Sequence, residues 1–178
     1  MLPEFHPHNI FTFCPKCGKA SLYILNEKAQ ACNNCDFLFY TNAAAAVAAI
    51  IENEKGEIML TTRAVDPAKG MLDLPGGFAD HNESIETALV REIKEELNIE
   101  LSEYHYFASF PNQYLYKNIL YYTLDMIFIC KVKSYEHIIA ADDISAFAFF
   151  KITDETINKI GLQSIKKVLS AYIEYKKK

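Results

Sequence analysis

The chain has 178 residues, a formal net charge of −5 and 51% hydrophobic residues. This length allows one domain of ordinary size with a small appendage, and the acidic balance argues against a nucleic-acid binder, which would normally carry a basic stripe. The longest weakly polar run, Ala43–Ile51, is too short for a membrane span, and the N-terminus lacks the features of a secretory signal. We therefore expect a cytoplasmic enzyme or binding protein.

Four of the five cysteines form two C-x-x-C pairs near the N-terminus: Cys14, Cys17, Cys32 and Cys35. Zinc takes four thiolates at tetrahedral corners and each C-x-x-C turn supplies two, so the spacing predicts a closed, structural zinc site in a small ribbon over residues 1–40. Two disulfides or a redox pair are the alternatives, but a cytosolic chain rarely keeps structural disulfides. Cys130, in a β-forming run, is predicted to be a buried apolar residue.

The main domain is expected to span residues 41–178. Two apolar runs on either side of Glu52–Gly56 predict a strand, a turn and a second strand. The segment that follows, residues 61–84, contains two prolines and three glycines and is predicted to be a long loop. Long ordered loops are usually functional, so this segment is a candidate part of a site.

A helix is predicted from about Ser84 to Leu97, because Ser84 suits an N-cap and apolar residues repeat on one face. Asn98 follows as a residue that accepts the left-handed conformation at a helix end. Further strands are predicted over residues 105–110, 121–133 and 144–152, then a short helix and a C-terminal amphipathic helix. Mixed strands and helices predict an α/β sandwich with a mixed sheet.

Three glutamates crowd one sector of the predicted helix: Glu92, Glu95 and Glu96. That sector adjoins the apolar one, formed by Leu89, Val90, Ile93 and Leu97, so the carboxylates can line the floor of a cleft. Hard oxygen ligands on a rigid element suit Mg²⁺ or Mn²⁺. The helix by itself fits a solvated face equally well, because glutamate-rich helix surfaces are common.

The helix and its preceding loop together resemble the signature of the Nudix hydrolases. That signature is Gly, five residues, Glu, seven residues, Arg-Glu, an apolar residue, any residue, Glu-Glu, any residue, Gly and an apolar residue. In this chain it runs from Gly77 through Glu83 and Arg91 to Ile99, and Asn98 replaces the last glycine. Asn is the next residue after Gly to accept a left-handed cap, so this departure is mild.

The resemblance implies a Nudix-type α/β/α sandwich and a divalent-metal-dependent hydrolase. It implies that the cations are bound by three glutamates with a glycine carbonyl: Glu92, Glu95, Glu96, and Gly76 or Gly77. Arg91 would orient Glu92, and Glu83 would steady the loop or be purely structural. The predicted catalytic residues are therefore Glu92, Arg91 and Glu95. The general base is either a glutamate of this signature (a box glutamate) or one of Asp142 and Asp143, although a solvated turn is the favoured interpretation of that pair.

The resemblance further implies a nucleoside diphosphate linked to another moiety as substrate. The cysteine unit is similar to the arrangement in NADH pyrophosphatases, but residues 109–116, "SFPNQYLY", depart from the stretch that those enzymes carry after the box. ADP-ribose and a dinucleotide such as NADH are favoured. Arg63 and Lys69 are candidates for phosphate contacts, and Tyr114 is a candidate for stacking on a base, with surface charge and core packing as the plainer alternatives.

Several alternatives remain open at this point. The chain could act on nucleoside triphosphates, or it could be a Nudix module that senses a metabolite without catalysis. RNA decapping is disfavoured by the acidic charge balance. Sensors often lose box carboxylates, whereas this chain retains all of them, so a hydrolase is preferred. A homodimer is the expected assembly if one forms.

Overall fold

The computed structural model describes residues 1–177, and its contacts divide the chain into two compact units. The first comprises Met1–Ala43 with Gln113–Tyr122, and the second comprises Ala44–Asn112 with the chain from Thr123 onward. No helix within residues 1–177 is long and apolar enough to cross a membrane. The division into a zinc ribbon over residues 1–40 and a main domain over residues 41–178 stays a prediction.

The first unit contains a small antiparallel sheet and the four paired cysteines. Its elements are α1 (Pro7–Ile10), β1 (Leu22–Asn26), β2 (Ala29–Cys32) and β3 (Leu38–Tyr40). The strand order is β1-β2-β3, and both pairings are antiparallel. One C-x-x-C pair precedes β1, whereas the other begins at the last residue of β2, so the chain between the two pairs folds back on itself as a hairpin.

The second unit is built around six strands: β4 (Ala44–Ile51), β5 (Ile58–Arg63), β6 (Leu72–Asp73), β7 (Leu101–Tyr116), β8 (Ile119–Val132) and β9 (Ile144–Phe150). They form two three-stranded sheets with the orders β4-β8-β7 and β6-β5-β9. The strands β4 and β8 are parallel, whereas β5 is antiparallel to both of its neighbours. The two strands predicted around Glu52–Gly56 are present, but they belong to different sheets.

A two-residue turn, Lys117–Asn118, connects β7 to β8. Both residues have positive φ, 47° and 62°, which is the type I′ geometry that matches the twist of antiparallel strands. The tip of this hairpin, residues 113–122, groups with the first unit. Strand β7 is longer at both ends than the predicted strand over residues 105–110, and β8 begins two residues before its predicted start. Residues 109–116 form strand throughout.

The predicted acidic helix is α2 (Ile85–Leu97), and both of its predicted ends are confirmed. The Ser84 hydroxyl accepts a hydrogen bond from the Thr87 N–H at the N-terminus. Asn98 caps the C-terminus in the left-handed conformation, with φ 56°. Val90 differs from expectation, because the residue is 41% exposed and does not belong to the buried stripe.

Helices cover both faces of the sheet that contains β4. Alternate residues of a strand point to opposite faces. On one face, Val47, Ala49 and Ile51 pack in a cluster with the buried residues of α2, which are Leu89, Ile93 and Leu97. On the other face, Ala48 and Ile50 pack with the C-terminal helix, which follows the short helix α3 (Asp154–Asn158) and is α4 (Gln163–Lys176). The predicted α/β sandwich with a mixed sheet is confirmed.

Candidate active site

Two carboxylates of α2 line a cavity of about 260 Å³ in the second unit. Glu92 and Glu96 lie one helical turn apart, and their residues are only 9% and 4% exposed. The other walls come from β5, β6, the glycine loop and the segment that precedes β9. The charged lining residues are Arg63, Asp73, Asp80, Glu92, Glu96, Asp142 and Asp143. The cavity is therefore strongly acidic.

The two glycines are required by how closely the loop approaches its neighbours. Gly76 has φ 142°, and a side chain there would collide with the backbone of β4 at Val47. A Cβ atom on Gly77 would lie 2.5 Å from the carboxyl carbon of Glu92. The Gly76 N–H donates a hydrogen bond to Oε2 of Glu96 at 2.9 Å, and the Gly77 carbonyl accepts one from the Val47 N–H. The loop thus lies directly over both glutamates.

Burial changes the ionisation of both glutamates. It raises the pKa of Glu92, although the neighbouring Arg91 opposes this shift. Burial also raises the pKa of Glu96 to about 8; the hydrogen bond from Gly76 opposes the increase, while the charge of Glu92 adds to it. Two carboxylates that are costly to ionise side by side make a site at which a cation would be bound favourably.

In the absence of divalent cations, we expect Glu96→Gln to raise the melting temperature at pH 9. A carboxyl group whose pKa is about 8 when folded and 4.5 in its ordinary state binds its proton more tightly in the folded protein. The wild type therefore loses stability as pH rises from about 4.5 to 8, and glutamine removes that loss. One pKa unit corresponds to about 1.4 kcal/mol, so a gain of about 3 °C or more is expected.

Thermal unfolding in a chelator at pH 5 and pH 9 measures this effect. The difference between the variant and the wild type should grow with pH. An equal difference at both values would show that the charge on Glu96 is not costly in the folded protein.

Arg91 connects three glutamates of the signature, Glu83, Glu92 and Glu95. Its guanidinium donates hydrogen bonds to both carboxylate oxygens of Glu83, at 3.0 and 2.9 Å, and to the Phe78 carbonyl at 2.9 Å. It also contacts Glu92 and Glu95, each at 2.9 Å. The predicted contact between Arg91 and Glu92 is therefore present, and Glu83 joins the loop to the helix through the same guanidinium.

Glu95 is placed differently from the other two glutamates of the predicted metal set. Its side chain is 49% exposed and bonded to Arg91, and it is not among the residues that line the cavity. The structure thus brings Glu92 and Glu96 together but leaves Glu95 at the surface. A role for Glu95 as a metal ligand stays a prediction, and it requires the side chain to release Arg91.

Asp142 and Asp143 both line the cavity, although they are exposed. Asp142, in the turn before β9, adopts the left-handed conformation with φ 52°. Its charge contributes to the raised pKa values of Glu92 and Glu96, so its carboxylate acts on both glutamates electrostatically. Both aspartates therefore lie at the cavity, where a general base would be needed, and both are also exposed as in a solvated turn.

The two predicted substrate-binding residues have different locations. Arg63 ends β5 and lines the cavity, where its NH1 contacts Oδ2 of Asp73 at 2.6 Å. Tyr114 lies at the hairpin tip in the first unit, where its ring stacks on Tyr121 with centroids 5.7 Å apart. It is not among the residues that line the cavity of the second unit.

Asp73 and Phe78 are among the cavity residues that were not candidates from the sequence. Asp73 is buried in β6, and a charged residue between the two leucines of "LDLPGG" was the available signal. Phe78, directly after the two glycines, is 47% exposed at the cavity. A large apolar ring exposed beside a charged cavity was not recognisable from sequence, because exposure depends on the fold.

The four paired cysteines lie close together in the first unit. Their sulfur atoms all fall within 4.8 Å of one another, with Cys14 to Cys35 at 3.7 Å and Cys17 to Cys32 at 3.8 Å. Tetrahedral zinc with Zn–S bonds of about 2.3 Å separates its sulfur ligands by about 3.8 Å, whereas a disulfide requires about 2.05 Å. All four thiols are free, so the cluster fits a zinc ion.

The surroundings of Cys32 favour its thiolate form. The Ser21 hydroxyl lies 3.0 Å from its sulfur, and the Asn34 N–H donates to the same atom at 3.3 Å. These contacts lower the pKa of Cys32 to about 6. Cys130 is separate from this cluster: it is buried in the core of the second unit, as predicted, and burial raises the pKa of its thiol to about 12.

A model of the NUDIX domain matches residues 42–171. The chain belongs to the Nudix family. Among curated proteins, it is 31% identical to the NAD-capped RNA hydrolase NudC of Pseudomonas fluorescens (strain Pf0-1) over 97 residues, which is 54% of this chain and 34% of that protein. The corresponding match to NudC of Vibrio vulnificus (strain CMCP6) is 30% over 106 residues, or 60% of this chain and 40% of that protein. The matched part therefore spans well under half of these Nudix relatives.

Solved structures of Nudix proteins share the fold. A NUDIX hydrolase from Nitrosomonas europaea superposes with a TM-score of 0.69 and 25% identity, covering 92% of this chain and 91% of that one. The NUDIX domain of Shewanella oneidensis NrtR, solved in complex with ADP ribose, has a TM-score of 0.61 and 16% identity, covering 76% and 90%. The second likeness, at its low identity, concerns the fold alone.

Proposed function

We propose that the protein is a divalent-metal-dependent pyrophosphohydrolase that cleaves a nucleoside diphosphate linked to another moiety. The carrying observation is the pair of buried carboxylates, Glu92 and Glu96, beneath the glycine loop. Burying two like charges is unfavourable unless a cation neutralises them. A nucleotide pyrophosphate supplies negative charge on the other side of such a cation, so an acidic cavity can accept an acidic substrate.

The residues present fit a hard divalent cation such as Mg²⁺ or Mn²⁺. Carboxylate oxygens of Glu92 and Glu96 would hold it, with the Gly76 carbonyl as the backbone ligand, because the Gly77 carbonyl already accepts from Val47. When bound, such an ion polarises a phosphoryl oxygen and lowers the pKa of bound water. Arg91 holds the Glu92 carboxylate in place, and Glu83 holds Arg91.

Arg63 and Phe78 are the proposed substrate contacts. Within the described chain, Arg63 is the one lysine or arginine that lines the cavity, so it is suited to a phosphate. Phe78 offers an exposed ring for a base or a nicotinamide. The name of the NudC relatives, NAD-capped RNA hydrolase, supports a dinucleotide such as NADH as the substrate class, and ADP-ribose shares its adenosine diphosphate part.

For the general base, we propose a box glutamate or one of Asp142 and Asp143. The two aspartates line the cavity and are solvent-exposed, so each can pass a proton to bulk water. Activity of Asp142→Asn and Asp143→Asn, measured as a function of pH, assigns the role. Loss of the acidic limb of the profile in one variant identifies the base, and its retention in both assigns the role to a glutamate.

A substrate panel tests the proposed function directly. ADP-ribose, NADH, NAD⁺ and nucleoside triphosphates are incubated with Mg²⁺ or Mn²⁺, and the products are separated by chromatography. Release of AMP from ADP-ribose or NADH is the expected result, whereas pyrophosphate released from triphosphates would assign the alternative activity. Metabolite binding without catalysis is the second candidate, and binding of a panel member without turnover would support it.

We expect Phe78→Ala to raise the KM for ADP-ribose about tenfold, since stacking of an aromatic ring on a base contributes about 1–3 kcal/mol. The kcat should change little, because the substitution removes only the ring and keeps the Phe78 carbonyl that accepts from Arg91. Steady-state kinetics measures both constants. Tyr106→Ala is the matched control, since Tyr106 is 58% exposed and does not line the cavity. An unchanged KM in Phe78→Ala would remove this residue from the substrate site.

A further inference from the structure

Arg63 is held at three places around its position at the end of β5. Its Nε donates to the Pro67 carbonyl at 2.6 Å, and its NH1 donates to Asp73 Oδ2 at 2.6 Å. Its backbone also bonds to the loop that follows, through Met71 and Gly70. The side chain is 20% exposed and faces the cavity. The guanidinium has five N–H donors, so these two side-chain bonds leave others for a ligand.

Asp73 is the buried partner of this guanidinium. Its side chain is 8% exposed, and its second oxygen, Oδ1, accepts from the Leu74 N–H at 2.9 Å. Both carboxylate oxygens are therefore committed, one to the backbone of Leu74, directly after β6, and one to Arg63. Because β5 and β6 are paired directly at Thr61 and Asp73, the carboxylate is fixed relative to the strand that carries Arg63.

We propose that Asp73 is a positioning residue that fixes the Arg63 guanidinium in the cavity wall, with its remaining N–H groups available to a phosphate oxygen of the substrate. This inference rests on the proposed function. A long side chain that is already immobilised loses little rotamer entropy when a ligand binds. Asp73 itself touches neither the substrate nor the metal in this proposal.

The charge distribution of the cavity explains why such positioning matters. Apart from Arg63, every charged residue that lines the cavity in the described chain is an acid. A cation at Glu92 and Glu96 can neutralise one part of a pyrophosphate, but Asp142 and Asp143 would still repel the rest. A guanidinium held at a fixed point attracts the second phosphate away from those carboxylates. Losing its position should therefore weaken substrate binding and leave the chemical step intact.

A double-mutant cycle tests the inference, using Asp73→Asn, Arg63→Gln and the double variant with ADP-ribose and Mg²⁺. We expect Asp73→Asn to raise KM about fivefold to tenfold with kcat within about twofold of the wild type. Arg63→Gln should raise KM about tenfold to a hundredfold. The double variant should match Arg63→Gln alone, because Asp73 acts through Arg63.

Glu52→Gln is the control, since Glu52 is a partly buried carboxylate of the same unit that bonds to Lys176 and Tyr172 and does not line the cavity. Its KM should equal that of the wild type. Melting temperatures are measured for all variants, and assays are run well below them. Effects that multiply in the double variant, an unchanged KM in Asp73→Asn, or a loss of kcat with a changed Mg²⁺ requirement would each overturn the inference.

Binding of a non-hydrolysable analogue separates this inference from the proposed function. The dissociation constant of α,β-methylene ADP-ribose with Mg²⁺ is measured by calorimetry for the same four proteins and the control. If the wild type binds the analogue but hydrolyses no substrate, the proposed hydrolase activity is refuted. The double-mutant cycle is then evaluated on the dissociation constants, which still test the positioning role of Asp73. A wild type that binds neither ADP-ribose nor the analogue overturns both proposals.

Discussion

Replacement of either buried glutamate by glutamine is expected to abolish metal-dependent release of AMP. Glutamine keeps the shape of Glu92 or Glu96 but removes the negative charge that would hold the cation. A bound metal contributes several kcal/mol to such a reaction, so kcat should fall about a thousandfold or more. The measurement is product release by chromatography with saturating Mg²⁺ or Mn²⁺.

Glu86→Gln is the control for this prediction, because Glu86 lies in the first turn of the same helix, is exposed and does not line the cavity. It should retain wild-type turnover. Direct Mn²⁺ binding, measured without substrate, should weaken in Glu92→Gln and Glu96→Gln and stay unchanged in the control. Undiminished turnover in both cavity variants would refute the metal assignment.

Replacement of a cluster cysteine by serine is expected to release zinc and unfold the first unit. We expect one zinc ion per chain in the wild type, and Cys14→Ser or Cys32→Ser should lose most of it. The first unit has three short strands and few buried apolar residues, so its folding should depend on the metal. Elemental analysis measures zinc, and limited proteolysis should then cleave within residues 1–43 before the second unit.

Cys130→Ala is the matched control, since it removes a buried cysteine of the second unit and leaves the cluster intact. It should retain full zinc content and a protected N-terminal segment. Purified wild type without zinc, and with Cys14 or Cys32 oxidised, would contradict the prediction and favour a disulfide pairing.

Sequence patterns predicted the local elements well, since short-range interactions determine them. Ser84 and Asn98 cap α2 where their residue types favour caps, and Leu89, Ile93 and Leu97 are buried as their periodicity requires. The prediction that Val90 belongs to the buried face was wrong, because an angle of about 100° per residue defines the faces of a helix only approximately. A residue at the edge of the apolar sector is buried or exposed according to what packs against the helix.

Residues far apart in sequence form the remaining part of the candidate site. Glu95 and Glu96 are adjacent in sequence, yet one is bonded to Arg91 at the surface and the other to Gly76 inside the cavity. The glycine loop makes this distinction, because it covers only the part of the helix that faces β4. No spacing rule within the helix contains that information.

The sequence by itself determined the helix with its caps, the cysteine pairs and the family signature, because each depends on residues close together along the chain. The tertiary structure decided which carboxylates are buried, that Arg63 is held by Asp73, and that Asp142 faces Glu92 and Glu96. The pairing of β5 with β6 brings Asp73 to Arg63, the pairing of β5 with the distant β9 brings the Asp142 segment to the cavity, and the glycine loop covers Glu92 and Glu96. Strand pairing and burial depend on contacts across the whole fold, and these contacts enclose the carboxylates of the helix in a cavity.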